Sequence, residues 1–477
     1  MILHAHRPAN ALEVARLRWL VAAVVLSLQA CTAIPTFVSP LMPVMVPDMA
    51  MTSVRGMSLG GANGPLTDAQ SQAVLTRLKR NGADTNIFAK HLALEGQIVG
   101  SPLVVGNRVQ LLKDGPTTYD AMLAAISAAR DHVNMETFIM EDDETGRRFA
   151  ALLAGMQLRG VQVNLVYDSV GSRNTPRAFF TALAASGVNV LEFNPMNPLL
   201  ARKAWELVRR DHRKLLIVDG KVAFVGGINI SSVYSSGSSG KSKATTGEWT
   251  WRDTHMRVEG PVVAEFQKLF MATWTEQQGV PLTTGDYFPA LQNQGQDVVR
   301  AIGSSPEEAF SQIFATLLSA INSAETQIFL TNAYFVPDPQ LLSALERAVS
   351  RGVDVSLLLP HRTDSALVFY ASRSFYTELL KAGVKIYERQ DAVLHAKTAL
   401  VDGIWSTIGS TNLDWRSFVH NQEINAVMLG QEFGAQMQMM FDNDLKSSRR
   451  ITLVEWGSRP VLARVKESLA RMWARWL

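Results

Sequence analysis

The sequence predicts an α/β protein of two duplicated lobes, each a mostly parallel sheet flanked by helices, sharing one active site at a pseudo-twofold interface. Three observations carry this expectation. Strand-type runs alternate with helical runs of ten or more residues, the pattern of crossover units. The same order of runs occurs twice along the 477 residues. One polar constellation, with identical internal spacing, closes each half: HRKLLIVDG from His212 to Gly220, and HAKTALVDG from His395 to Gly403.

At the N-terminus, Arg16 and Arg18 precede an apolar run, Trp19 to Leu28, followed by LQAC and the single cysteine, Cys31. The run is shorter than the ~20 apolar residues of a bilayer span. Residues 1–30 therefore read as a cleaved secretory signal rather than an anchor helix. One cysteine leaves no intrachain disulfide and no cysteine-rich metal site. Residues 31–66, rich in Pro, Met and Gly without a period, read as a flexible tether.

The first lobe, 67–290, begins with short helical patterns at Asp68–Asn81 and Asp84–Leu94. A strand (Arg108–Leu112), a helix (Tyr119–Ala129), a strand (Val133–Met140), a helix (Gly146–Leu158) and RGVQVNLVYD follow. The second lobe, 291–450, repeats the order: a strand (Val298–Ile302), a helix (Pro306–Ser323), a strand (Thr326–Asn332), a helix (Pro339–Ser350) and RGVDVSLLLP. Each half then passes through a helix closing on glycine, LAASGVNVLEF or LLKAGVKIYER, to its histidine motif. The last stretch, 451–477, sets Val461, Leu462, Val465, Leu469, Met472, Trp473 and Trp476 on one helical face with basic residues elsewhere. Such a stripe suits either a packed core or a lipid interface. NPLLARKAWELVRRD, ahead of the first motif, has the same mixed character. Its Leu199, Leu200 and Trp205, beside Arg202, Lys203 and Arg209, could hold a second anionic lipid and exclude water.

Alternate strand residues share a face, so His212 and Lys214 point one way, as do His395 and Lys397. GGIN (Gly226 to Asn229) and GSTN (Gly409 to Asn412) follow at equal distance. A repeat kept for packing would preserve apolar positions and let these polar ones drift. Brought together about a twofold axis, two histidines, two lysines and two asparagines suit phosphoryl transfer. One imidazole attacks phosphorus to form a phosphohistidine, and a second, protonated one gives its proton to the leaving alkoxide. Lys214 and Lys397 would bind the non-bridging oxygens, with Asn229, Asn412 and the Ser410 hydroxyl adding hydrogen bonds. This chemistry needs no metal and no cofactor. The balance of 46 basic against 43 acidic residues leaves no electrostatic footprint for nucleic acid, and none is expected as a partner.

The paired HxKxxxxD motifs, each followed by GGxN or GSxN, are similar to those of the phospholipase D superfamily, over about Arg108 to Leu445. The resemblance implies two lobes sharing one active site, His212 as nucleophile and His395 as general acid, with Asp219 and Asp402 completing the motifs in a structural role. It also implies an acid downstream of each motif that orients a histidine. Asp253 in WRDTHMRVEGP fits that place for the first motif, and Glu423 in HNQEINAV for the second. Asp253 is displaced by an insertion, YSSGSSGKSKATTGEW, which either flanks the pocket mouth or is a passive surface loop.

Within the superfamily, GNRVQLLKDG, VGGINIS, AYFVPDP and STNLDWRSF bring the chain nearest to bacterial cardiolipin synthases. That likeness implies phospholipid substrates at a membrane surface: phosphatidylglycerol, with phosphatidylethanolamine as a second candidate. The expected reaction joins two phosphatidylglycerols into cardiolipin and releases glycerol. Water as acceptor would make the chain a phospholipase D, and a non-catalytic lipid-binding lipoprotein is the reading from another class. Such synthases carry two N-terminal transmembrane helices, whereas this chain has one short signal-like run. LQAC resembles a lipobox, which makes Cys31 the acylated mature N-terminus of a periplasm-facing protein. Thr32 in place of aspartate favours the outer membrane over the inner.

Overall fold

The computed structural model describes residues 59–80, 86–201, 206–236 and 249–477. Cys31 and its flanks, most of the tether, Arg202, Lys203 and Trp205, and most of the Ser/Gly/Lys insertion lie outside the described residues.

Two helices, α1 (Asp68–Arg80) and α2 (Leu92–Ile98), lead into the first lobe. Its strands are β1 (Val104–Leu112), β2 (His132–Thr137), β3 (Gln162–Asp168), β4 (Asn189–Phe193), β5 (Lys214–Val218), β6 (Val222–Gly226) and β7 (His255–Glu259). Its helices are α3 (Gly115–Ala128), α4 (Glu144–Leu158), α5 (Arg177–Ala185) and α6 (Val263–Glu276). β2, β3 and β4 pair in parallel, joined by the α4 and α5 crossovers. The histidine hairpin β5–β6 adds antiparallel strands, which helix–strand alternation does not announce. Across the sheet the order is β4-β3-β2-β5-β6-β7-β1.

The second lobe repeats this strand for strand. β8 (Asp297–Ser304), β9 (Gln327–Asn332), β10 (Asp354–Pro360), β11 (Lys385–Arg389), β12 (Lys397–Val401), β13 (Trp405–Gly409) and β14 (Asn421–Leu429) lie in the order β11-β10-β9-β12-β13-β14-β8. β1 and β8 pair antiparallel, Val299 opposite Val104, and join the two sheets. Helices α7 (Gln312–Ser323), α8 (Pro339–Ser350), α9 (Ala366–Ser374), α10 (Tyr376–Ala382), α11 (Trp415–Val419) and α12 (Gln431–Lys446) belong to this lobe.

Local chemistry repeats too. Asp143 caps α4 by accepting the Gly146 N–H, and Asp338 caps α8 by accepting the Leu341 N–H. Each hairpin turns on an Asp-Gly pair with both residues left-handed: Asp219 at φ 52° and Gly220 at 60°, Asp402 at 51° and Gly403 at 67°. That is the two-residue geometry whose twist matches its flanking strands. Besides a core under each lobe's helices, a third forms between the lobes. There Phe266 and Phe270 of α6 pack with Val225, Val299, Ile424 and Met437. Each fully buried phenylalanine stabilises the lobe contact by about 1.5–3 kcal/mol.

Three sequence expectations change. The helix expected from Pro306 starts at Gln312, because Ser311 accepts the Phe314 N–H and caps it there. The C-terminal stretch is broken rather than continuous. α13 (Leu453–Gly457) ends before Pro460, α14 (Val461–Arg471) begins after it, and a 3₁₀ turn, Ala474–Trp476, closes the chain. Among the described residues, NPLLARKAWELVRRD yields only the 3₁₀ turn Pro198–Leu200 and the two-residue strand Arg210–Asp211.

Candidate active site

The two histidine motifs meet because each is stitched to the opposite lobe. Arg210–Asp211, just ahead of His212, pairs in parallel with Asn421–Gln422, and the His212 N–H donates to the Gln422 carbonyl at 2.9 Å. In the symmetric place, Trp251–Arg252 pairs with Val393–Leu394, and the His395 N–H donates to the Arg252 carbonyl at 2.8 Å. These short ladders deliver one lobe's acid to the other lobe's histidine. His212 Nδ1 lies 3.0 Å from Glu423 Oε2, and His395 Nδ1 lies 2.6 Å from Asp253 Oδ2. The orienting is crosswise: the acid after the first motif serves the second histidine, and the reverse. Each carboxylate holds its imidazole's Nδ1–H, leaving Nε2 for chemistry.

Lys214 and Lys397 fold alike. Each ammonium donates to its own histidine's carbonyl, Lys214 Nζ at 2.6 Å, and Lys214 also lies 5.0 Å above the Phe138 ring. Burial lowers Lys214 to about 7 and Lys397 to about 8. His212 is pushed well below the ordinary imidazole value by burial, then by Lys214, Lys397, His395 and Arg416. Burial and Lys397 lower His395 as well, but Asp253 opposes them. The two acids differ in the same sense. Burial raises Glu423 to about 7 despite Lys214 and Ser410. For Asp253, burial is outweighed by His395, Lys397 and the Thr254 N–H, so its carboxyl stays below its usual range. Both imidazoles are thus lowered, but His395 leans on an ionised acid that opposes its lowering, whereas His212 is pushed well below the ordinary value and held neutral.

A phospholipase D-like architecture with a duplicated His-Lys site now has direct counterparts. Residues 122–237 and 317–445 match the family model described as "Cardiolipin synthase, PLD-like domain". The chain belongs to this family. A cardiolipin synthase of Geobacillus kaustophilus is 35% identical over 384 residues, covering 80% of this chain and 74% of that one. One from Listeria innocua is 34% identical over 376 residues, covering 78% and 76%. The crystal structure of a phosphatidylserine synthase from Haemophilus influenzae shares the fold, with a TM-score of 0.59 at 12% identity over 81% of this chain and 97% of that one. The family's enzyme class, the phospholipase D type, is that of this chain, which keeps both motifs whole.

The other residues expected at the site fall into three groups. Asp219 and Asp402 stand away from it and are structural. Asp219 accepts the N–H groups of Arg130, Asp131 and His132, and Asp402 those of Glu325, Thr326 and Gln327, tying each hairpin turn to the start of the neighbouring strand. Ser410 and Asn229 are near the histidines but already engaged. The Ser410 hydroxyl donates to Glu423, so it steadies that carboxyl instead of reaching for a phosphate. Asn229 accepts the Ile139 N–H and donates to Tyr234 Oη at 3.1 Å. Of the three residues expected to bind phosphate, the buried Asn412 is the one that keeps a side-chain oxygen, Oδ1, without a partner among the described residues.

Arg209, expected to grip a second lipid, is instead buried and ion-paired with Glu206, Glu276 and Glu307. Leu199 and Leu200 are exposed. Four aromatic residues near the histidines escaped the sequence reading. Phe138 lies 4.9 Å from the His212 ring, and Trp251 (5.1 Å), Tyr234 (5.9 Å) and Tyr334 (6.4 Å) surround His395. Tyr234 Oη also lies 3.2 Å from His395 Nδ1. Phe138 and Tyr334 follow the ends of β2 and β9, the strands that pair with the two motif strands, the one signal that could have marked them.

Proposed function

We propose that the protein is a phosphatidyltransferase that makes cardiolipin and glycerol from two phosphatidylglycerols. His212 Nε2 attacks phosphorus while the bond to the departing glycerol oxygen breaks, and His395 protonates that oxygen. His395 then takes the proton of the acceptor hydroxyl, whose oxygen displaces His212 and restores both imidazoles. Lys214 and Lys397 release their carbonyl partners and neutralise the non-bridging oxygens. The observation that supports the division of roles is the unlike pair of acids: aspartate at 2.6 Å from His395 Nδ1, its carboxyl held below its usual range, and glutamate at 3.0 Å from His212 Nδ1, its carboxyl raised to about 7.

The test is purified protein given only phosphatidylglycerol in mixed micelles, with products read by mass. Cardiolipin with free glycerol is the expected pair, and phosphatidic acid as main product would replace this reading with a phospholipase D. In His395→Ala a phosphatidyl adduct should accumulate on His212; mapping to His395 in His212→Ala instead would reverse the roles. We also propose that Cys31 is acylated, placing the enzyme on the periplasmic side of an envelope membrane. Mass measurement of the mature N-terminus decides it: an unmodified chain starting at Met1 would end that reading.

A further inference from the structure

Helix α14 is turned the wrong way round for core packing. Its polar side faces the protein: Glu467 and Ala470 are 3% and 4% exposed. Glu467 pairs with Arg459 at 2.9 Å, Arg471 pairs with Glu378 of α10 at 2.9 Å, and the Lys466 ammonium lies 5.3 Å from the Tyr370 ring of α9. The opposite side carries Val461, Leu462, Val465 and Leu469, and the chain end adds Trp473 and Trp476; these six are between 48% and 77% exposed. At 100° per residue the four aliphatic side chains span about a third of the helix circumference, a contiguous stripe in water. Val454 of the preceding α13 is 85% exposed as well. Single-chain proteins rarely leave such a surface uncovered.

The charge around the stripe indicates what covers it. With Arg459 set against Glu467 and Arg471 against Glu378, the stretch from Leu453 to Leu477 still carries Arg464, Lys466 and Arg475 against Glu455. Apolar side chains with tryptophans, flanked by basic residues, match an anionic lipid headgroup layer and the acyl boundary beneath it. The segment that carries the stripe is also tied to the catalytic centre. The Arg416 N–H of α11 donates to the Leu477 carbonyl at 2.7 Å, and Arg416 is among the charges that depress His212. On the other flank α14 packs on α9, which starts two residues after Asp364, the acceptor of the Tyr334 hydroxyl beside His395.

The geometry points to the α13–α14 face as the surface by which the enzyme docks on an anionic phospholipid bilayer, linked through α11 and α9 to the site that draws lipid from it. This rests on the lipid-substrate reading above. The Val465→Cys substitution in a full-length Cys31→Ser chain gives one thiol for an environment-sensitive fluorophore. Mixed with vesicles of phosphatidylglycerol and phosphatidylcholine, the label should shift to the blue and be quenched by spin-labelled acyl chains. The shift should be weaker on pure phosphatidylcholine and in high salt, and a label at Leu158 of the first lobe should not move.

In the labelled chain, Leu462→Ser with Trp473→Ser should weaken vesicle partitioning at least about tenfold, since both side chains would otherwise leave water. Both variants should retain kcat on monomeric short-chain phosphatidylglycerol. No spectral change at Val465 on anionic vesicles overturns the proposal. So does a shift that follows protein concentration without lipid, which would mark the face as a contact with a second copy. If the label enters vesicles but no phospholipid is turned over, docking stands and the catalytic reading fails; turnover without label entry does the reverse.

Discussion

Replacing Asp253 by asparagine keeps the shape beside His395 and removes only the charge. The hydrogen bond lost is short, 2.6 Å, buried and ionic, a class worth about 1.5–3 kcal/mol. If that energy supports the imidazolium that protonates the leaving oxygen, kcat falls by roughly 10–150-fold. Glu423→Gln is the internal control. Glu423 titrates at about 7, so at pH 6 most molecules already carry a neutral side chain there and glutamine resembles it; the expected loss is below about tenfold. That penalty should grow toward pH 8, as the wild-type carboxyl ionises and the glutamine cannot. The assay is steady-state release of headgroup alcohol from mixed micelles between pH 6 and 8, repeated with a phosphatidyl ester of an acidic phenol whose departure needs no proton. Asp253→Asn should recover most of its first-step rate on the phenol ester. Equal losses on both esters, or a larger loss for Glu423→Gln than for Asp253→Asn at pH 6, would refute the division of roles.

The other predictions separate scaffold from chemistry. Asp219→Asn and Asp402→Asn each weaken charge-assisted bonds to three backbone N–H groups, so each should lower stability by about 1–3 kcal/mol in thermal melts, with kcat per folded site nearly unchanged. Gly227→Ala should cost at least as much activity as Asp253→Asn, because the added Cβ would stand 2.3 Å from Asp253 Oδ1; Gly155→Ala in α4, with nothing within 4 Å, should be neutral or slightly stabilising. Lys214 and Lys397 lose their protons near 7 and 8 in the free enzyme. KM for an anionic phospholipid should therefore rise with pH across that window in surface-dilution kinetics, and Lys214→Met should erase its lower limb.

The duplicated lobes and the catalytic pairs were legible because they rest on repetition. His212 with Lys214 and His395 with Lys397 recur at one spacing in the chain and land at the entrances of the equivalent strands β5 and β12. The crosswise orienting was not legible, since it depends on the pairing of Arg210–Asp211 with Asn421–Gln422, two segments no local pattern connects. Ser410 misled for a related reason: a hydroxyl beside a phosphate site and one beside a carboxylate look alike until Glu423 is placed. Arg209 looked free because two of its three acids, Glu276 and Glu307, come from distant positions along the chain. For α14, periodicity told which residues share a face, but the ion pairs of Arg459 and Arg471 decide which way it points.

The same comparison explains how a duplicated site escapes being two copies of one group. In the strand registers Gly226 stands opposite His255 and Gly409 opposite Asn425, which makes Asp253 the counterpart of Glu423 and Gly227 that of Ser410. Where the acid is aspartate, its carboxylate accepts the Thr254 N–H and fills the space a side chain on residue 227 would need. Where it is glutamate, the longer side chain leaves room for the Ser410 hydroxyl, which holds it against His212. The position after the first motif glycine and the acid across from it are therefore matched sets, Gly227 with Asp253 and Ser410 with Glu423. Exchanging one member alone would collide or leave a buried carboxyl short of a donor, at a cost of about 1–3 kcal/mol. The backbone supplies the symmetry that brings the two imidazoles together. These matched sets supply the asymmetry that the proposed division of roles, one imidazole attacking while the other holds the proton, would draw on.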